Sequence, residues 1–337
     1  MITLKQLAKK IGVSHTTVSN VVNGKTSEVS QKTINIVQQA IEEFDYIPNR
    51  NAKSLSEKRT KIIGVVIQHP IIDNKNAMEM LFYSEIVGSI EYHIRKNNLH
   101  MLLHSSDEVT EIINFTKSWN VDGLILISFR RDDAEIIKKS IKKPTVYVDS
   151  LFFNSGDFIN VTLNDRISGY NMTNYLIGKG HKKIGFFQNC IDGPDKQRYL
   201  GYSDAMNEHG YSFKKSPNLC GFSEGQIYKK LNELVKEIEN YSALFFSSDY
   251  LAAVAINYFF QKGLDVPRDV SVCGFDDNIY ATLVRPQLTT VKQDPKVKGE
   301  LAVNILIELL DKGKVEKNNY ILETEIITRD SVRTIGK

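Results

Sequence analysis

Two hydrophobic patterns divide the chain. Over residues 3–44 the apolar positions recur at helical spacing in three short segments, and no strand pattern appears. In the first segment Leu4, Leu7, Ala8 and Ile11 share one face. In the second, Val18, Val21 and Val22 point inward, and in the third Ile34, Val37 and Ile41. From Lys61 onward, short apolar runs of strand type alternate with amphipathic segments. Strands are predicted at 62–67, 99–104, 122–127, 144–148, 158–162, 183–187, 243–247 and 270–273, with weaker ones at 288–291 and 320–328. Helices are predicted at 82–97, 108–118, 132–141, 166–179, 198–209, 224–238, 249–262 and 295–312. Strict alternation of this kind means parallel strands with helices on both faces. About ten strands suit two doubly wound lobes better than one sheet.

The fold class expected is therefore an all-α headpiece followed by an α/β core of two doubly wound parallel-sheet lobes. The domain boundaries expected are 1–48 for the headpiece and 49–61 for a polar, basic connecting segment. The first core lobe takes 62–161 and 292–319, and the second 162–291 and 320–337, a division that alternation alone does not give and that the family resemblance below implies.

Local signals refine the headpiece. Thr3-Leu4-Lys5-Gln6 reads as a capping box, in which the Thr3 hydroxyl and the Gln6 side chain satisfy each other's backbone N–H groups. Gly12 permits a sharp turn, and Ser14 and Ser30 cap the second and third helices. Ala8, Gly12 and Val18 have the spacing of a helix-turn-helix. The outer face of the second helix carries Ser14, His15, Thr16, Thr17, Ser19, Asn20 and Asn23, nearly all short hydrogen-bonding side chains. A face that only meets water would more often carry Glu and Lys. Short polar groups suit base edges and phosphates.

Charge supports this division without deciding it. Of the 337 residues, 1–61 hold ten Lys/Arg against five Asp/Glu, or +5. With a total of +3, the rest of the chain carries −2. A basic module on a near-neutral body fits a nucleic-acid binder. The three cysteines, Cys190, Cys220 and Cys273, have neither disulfide nor metal spacing and fit a reducing cytoplasm. No signal sequence opens the chain and no run approaches ~18 apolar residues, so no membrane association is expected.

Nucleotide and catalytic motifs are missing. No G-x-G-x-x-G follows a strand, and neither G-x-x-x-x-G-K-[ST], G-x-S-x-G nor H-E-x-x-H occurs. The seven histidines are scattered. No catalytic residue, metal site or cofactor is expected, and the chain does not read as an enzyme.

Residues 2–64 resemble the headpiece of the lactose-repressor/galactose-repressor (LacI/GalR) family of bacterial transcription regulators. The resemblance rests on Thr3–Ala8, Gly12-Val13-Ser14, Thr17-Val18-Ser19, Val21–Gly24 and Tyr46-Ile47-Pro48-Asn49-Arg50. It implies that His15, Thr16 and Asn20 read bases, with Ser14, Thr17, Ser19 and Asn23 near phosphates and Thr3 and Leu4 in the same DNA-facing set. Many family members place Arg where this chain has Asn20. Asn suits adenine and Arg guanine, so a shifted operator is expected there. The resemblance further implies that Asn49, Arg50, Ala52 and Leu55 belong to a hinge that folds on DNA, with Leu55 wedged into the minor groove.

From 62 to about 330 the chain is similar to the family's two-lobed core, itself similar to periplasmic sugar-binding proteins. Gly178–Gly185, Arg198–Tyr202, Ser247-Ser248-Asp249, Val266–Asp277 and Pro286–Val291 carry this likeness. It implies an effector between the lobes, hydrogen-bonded by Asp276 and Arg198. Ser248 and Asp149 line the same cleft, and Phe82 and Phe222 pack on the ligand. Asp249 is either part of this set or a helix cap. Tyr83 and Arg166 are secondary candidates.

The expected protein is a cytoplasmic, homodimeric repressor of carbohydrate-utilisation genes, with double-stranded operator DNA and a sugar or sugar derivative as partners. A purine or nucleoside effector is the alternative. A free sugar-binding protein, or a sugar-modifying enzyme carrying a headpiece, is the alternative of another class.

Overall fold

The computed structural model describes residues 2–46, 59–69, 76–150, 158–188, 193–213 and 224–336. The chain divides into two compact units, Met1–Lys61 and Ile62–Lys337.

The first unit contains α1 (Leu4–Ile11), α2 (His15–Val22) and α3 (Gln31–Glu43). Each helix starts at a side-chain cap. Thr3 N–H donates to Gln6 Oε1 at 2.9 Å while Gln6 N–H donates to Thr3 Oγ1 at 3.3 Å. Thr17 N–H donates to Ser14 Oγ at 3.0 Å and Thr33 N–H to Ser30 Oγ at 3.3 Å. Such caps contribute about 1 kcal/mol each. Gly12 closes α1 in the left-handed region (φ 68°), which a side chain would strain. Leu7, Ala8, Val18, Val21, Val37, Ala40 and Tyr46 form the small core.

The second unit holds two sheets. The first combines β1 (Ile62–Ile67), β2 (His100–Ser105), β3 (Gly123–Ile127), β4 (Thr145–Val148), β5 (Asn160–Leu163) and β10 (Asn319–Leu322), all parallel, in the order β10-β5-β4-β3-β1-β2. The helices α4 (Leu81–Lys96), α5 (Val109–Trp119), α6 (Arg131–Ser140) and α12 (Pro295–Lys312) cover it. Alternate residues of β1 and β3 serve opposite faces. Ile63, Val65, Ile67, Ile125 and Ile127 meet Ile86 and Ile90 of α4 and Val303 and Leu306 of α12. Val66, Leu124 and Leu126 meet Ile112 of α5 and Ile137 of α6. Both faces are apolar because both are covered. Full burial of each such side chain stabilises by about 1.5–3 kcal/mol.

The second sheet combines β6 (Ile184–Phe187), β7 (Ala243–Phe246), β8 (Ser271–Asp276), β9 (Thr289–Lys292) and β11 (Glu325–Ile327), in the order β11-β9-β8-β7-β6. Around it lie α7 (Asp165–Gly178), α8 (Gly193–Glu208), α9 (Glu224–Lys236), α10 (Asp249–Gln261) and the short α11 (Ile279–Leu283). Its strands are parallel except β11, which runs antiparallel to β9.

This arrangement corrects two expectations. The predicted strand 320–328 is two strands in different sheets, separated by Glu323 and Thr324. The second lobe therefore resumes after Leu322, not at residue 320, because β10 pairs with β5 at the edge of the first sheet. The chain passes between lobes after Leu163, Lys292 and Leu322.

Candidate functional sites

The α2 surface sorts the headpiece candidates into two groups. Ser14 and Thr17 hydroxyls lie 2.8 Å apart and share the cap. Asn23 Nδ2 donates to Ser19 O at 2.8 Å and approaches Ser19 Oγ at 3.3 Å. These four side chains are tied down by local bonds. His15 and Thr16 are exposed and Asn20 is half-buried. Among the described residues none hydrogen-bonds their side chains. Thr3 is engaged in the cap, and Leu4 packs against the small core, so its apolar body belongs to the fold. Asn49, Arg50, Ala52 and Leu55 lie outside the described residues.

The core candidates converge where β4, β8 and the starts of α7, α8 and α12 approach. Arg198, on α8, is buried and donates from Nε to Asp165 Oδ1 at 2.9 Å and from an NH to Ser247 O at 2.7 Å. Its guanidinium lies 3.5 Å from the centre of the Phe275 ring and 3.7 Å from Asp195. Burial works against this charge, but Asp165, Asp195 and Asp276 outweigh it and hold the guanidinium above the ordinary arginine value. Burial likewise pushes the Asp165 carboxyl up, opposed by Arg198.

Asp276 ends β8 with a φ of 126°, a region rarely visited by any residue but glycine. Its Oδ1 accepts from Gln293 Nε2 at 2.6 Å. Burial raises its pKa to about 6, against the pull of Arg198 and the Gln293 bond. Asp149 directly follows β4, also at positive φ (47°), and both its oxygens accept from Lys298 Nζ at 2.8 and 2.6 Å. Phe82 is half-buried on α4, with Lys298 Nζ 5.3 Å from its ring centre. A cavity of about 220 Å³ is lined by Phe82 and Glu85 of α4, by Asp276, Asn278 and Ile279, and by Gln293.

Four candidates are engaged within the fold. Ser248 is the N-cap of α10, accepting from Leu251 N–H at 3.4 Å. That settles the reading of Asp249, which is not the cap. Asp249 is fully buried, and both its oxygens are used inside the second lobe. Thr290 Oγ1 donates to one at 2.6 Å and Asn278 N–H to the other at 3.0 Å. Burial and the neighbouring Asp276 raise its pKa to about 8. Tyr83 donates to Ser128 Oγ at 3.1 Å, and Arg166 pairs with Asp204 at the surface at 2.6 and 3.0 Å. Phe222 lies outside the described residues.

Sequence reading missed Lys298, Gln293, Asp165 and Asp195. Lys298 had a signal. It stands four residues before Ala302 and seven before Ile305, on the face of α12 that is otherwise apolar. Asp165 and Asp195 had none beyond sitting in the first turn of a helix, where acids are common.

The lacI family of bacterial regulatory proteins matches residues 3–49, and the periplasmic binding protein-like domain matches residues 173–332. The HTH-type transcriptional regulator RegA of Clostridium saccharobutylicum is 34% identical over 97% of this chain and 98% of its own length. A solved lac repressor dimer, bound to operator and the anti-inducer ONPF, has a TM-score of 0.86 at 24% identity, covering 98% of this chain and 99% of that one. The transcriptional regulator CelR in complex with cellobiose has a TM-score of 0.71 at 25% identity, over 98% of this chain and 100% of that one. A helix-turn-helix unit, with His15, Thr16 and Asn20 side chains unbonded among the described residues, precedes two α/β lobes with charged residues gathered between them, and with relatives of this kind the chain belongs to the lacI family of DNA-binding transcriptional regulators.

Proposed function

We propose that this chain is a homodimeric, cytoplasmic repressor of carbohydrate-utilisation genes, whose operator affinity is set by a sugar or sugar derivative held between the core lobes. The observation that carries the effector reading is the pairing, across one cavity, of the Phe82 ring with the Asp276 carboxylate. A sugar ring offers a flat C–H surface to an aromatic face and hydroxyl donors to a carboxylate. At about 220 Å³ the cavity falls below the usual range for drug-sized ligands and suits a small effector. Arg198, whose charge acts on Asp276, is assigned with Asp149 and Ser248 to the same cleft by the family resemblance. The cellobiose complex of CelR supports a sugar, and the operator-bound lac repressor dimer supports repression by a two-fold symmetric reader. Two headpieces related by a two-fold axis read a pseudo-palindromic operator. His15, Thr16 and Asn20 supply base contacts, and Ser14, Thr17, Ser19 and Asn23, already fixed by local bonds, approach phosphates.

The test is fluorescence anisotropy on an operator recovered by binding-site selection, titrated with neutral sugars, sugar phosphates and purines. A sugar is expected to change operator affinity by at least about tenfold, within the usual span of allosteric coupling. Asp276→Asn removes that response, judged against the variant's own effector-free operator affinity. A response to purines alone assigns the effector to that class. Sugar binding without any selected DNA site would make the chain a free sugar-binding protein.

A further inference from the structure

Lys298 lies one turn into α12 and is completely buried. A buried ammonium is tolerated only when its charge and all its donors are matched. Here the matching is complete. Two N–H groups go to the two oxygens of Asp149, and the third goes to Gln293 Oε1 at 3.0 Å. No donor is left for an anionic ligand, so Lys298 is a joint rather than a receptor.

The joint has a direction. Gln293 belongs to the crossover between β9 and α12. Because its amide oxygen faces Lys298, its amide nitrogen faces Asp276, where it donates at 2.6 Å. A flipped amide would set oxygen against carboxylate and nitrogen against ammonium. The main chain repeats the grip, since Gln293 N–H donates to the Asp276 carbonyl at 3.2 Å. The resulting line of bonds runs from Asp149, directly after β4, through Lys298 and Gln293, to Asp276 at the end of β8. It starts in the first sheet and finishes in the second. Both terminal aspartates hold a positive φ, 47° and 126°, a conformation kept only where surrounding contacts over-determine it.

We propose that Lys298 is the positioning residue of an interlobe latch, orienting Gln293 so that the second crossover is fastened to Asp276 and the two lobes are held in one relation. An effector hydrogen-bonded to Asp276 competes with Gln293 for the same carboxylate, so occupancy of the cavity acts on the latch directly. The latch itself does not depend on which effector binds.

Hydrogen exchange followed by mass spectrometry on the full chain, with no ligand added, tests it. Gln293→Leu cuts the line while leaving the Asp149–Lys298 pair in place. The double variant Asp149→Asn with Lys298→Met removes the pair without stranding a charge. In both, amides of 292–298 should exchange at least about tenfold faster, as expected when charge-assisted bonds holding a segment are lost. Strands β1 and β7 should stay within about twofold of the parent. Unchanged exchange across the crossover, or equal acceleration in both sheets, overturns the latch. If the double variant does not fold, Gln293→Leu decides alone. Because no effector enters the experiment, its failure leaves the effector site standing, and the absence of a sugar response leaves the latch standing.

Discussion

Asp249 and Asn20 show how differently single residues express the same chain's design. Burial holds the Asp249 proton to about pH 8, whereas the unfolded group ionises near 4. Between those values the folded state binds more protons than the unfolded one, so stability falls as pH rises through the window. Asp276 adds to the same trend, but only up to about 6. In the neutral form Asp249 can donate to Thr290 Oγ1 while still accepting from Asn278 N–H, and an asparagine amide reproduces both bonds. Asp249→Asn should therefore remove up to about 1.4 kcal/mol per pH unit of destabilisation between pH 6.5 and 8. Urea unfolding across that range checks it; parallel curves for parent and variant would refute a buried proton. Asn20 is proposed to act outside the fold. An amide in that base-reading role suits adenine N6 and N7, and Asn20→Arg should move selection toward guanine at that base pair, worth about 1–3 kcal/mol of discrimination. Binding-site selection yielding one half-site for both proteins would sink this.

Among elements, the α7–α8 crossing is the most demanding. A methyl group on Gly201 would land on the Arg166 carbonyl oxygen, and one on Gly169 on the Arg198 carbonyl. The close approach seats Arg198, one turn before Gly201, under the second sheet. Gly201→Ala should destabilise by about 1–3 kcal/mol through overpacking and weaken any effector response. Denaturant midpoints together with effector titration measure both, and an unchanged midpoint would show the helices free to separate. Elements were the legible level of this sequence. Runs such as Ile62–Ile67 and Gly123–Ile127 announce strands covered on both faces, and α12 was read with the bounds it has. The failures have physical reasons. Residues 320–328 look like one strand because only Glu323 and Thr324 interrupt them, too few to signal a change of sheet. The five-residue α11 is too short to show periodicity. Lys298 was passed over because helical patterning counts a lysine as solvent-facing, and only the arrival of Asp149 and Gln293 from distant sequence makes it an interior residue. The internal bonding of Asp249 was hidden for the related reason that Thr290, which donates to it, stands 41 positions away.

At the scale of the molecule, the core is one unit threaded three times between two sheets, so an event at the cavity reaches both lobes through the same short crossovers. The threading also sets an order of biosynthesis. Strands β6 to β9 of the second lobe are contiguous within residues 184–292, so most of that sheet is available before synthesis reaches α12. The first lobe starts earlier on the ribosome and finishes later. Its strands β1 to β5 emerge first, but Ala302, Val303 and Leu306 of α12, which cover one face, arrive only after the second lobe has been made. A nascent chain thus exposes an unfinished apolar sheet for more than a hundred residues of translation. The helix-turn-helix unit, by contrast, lies wholly within residues 1–61 and waits for neither sheet.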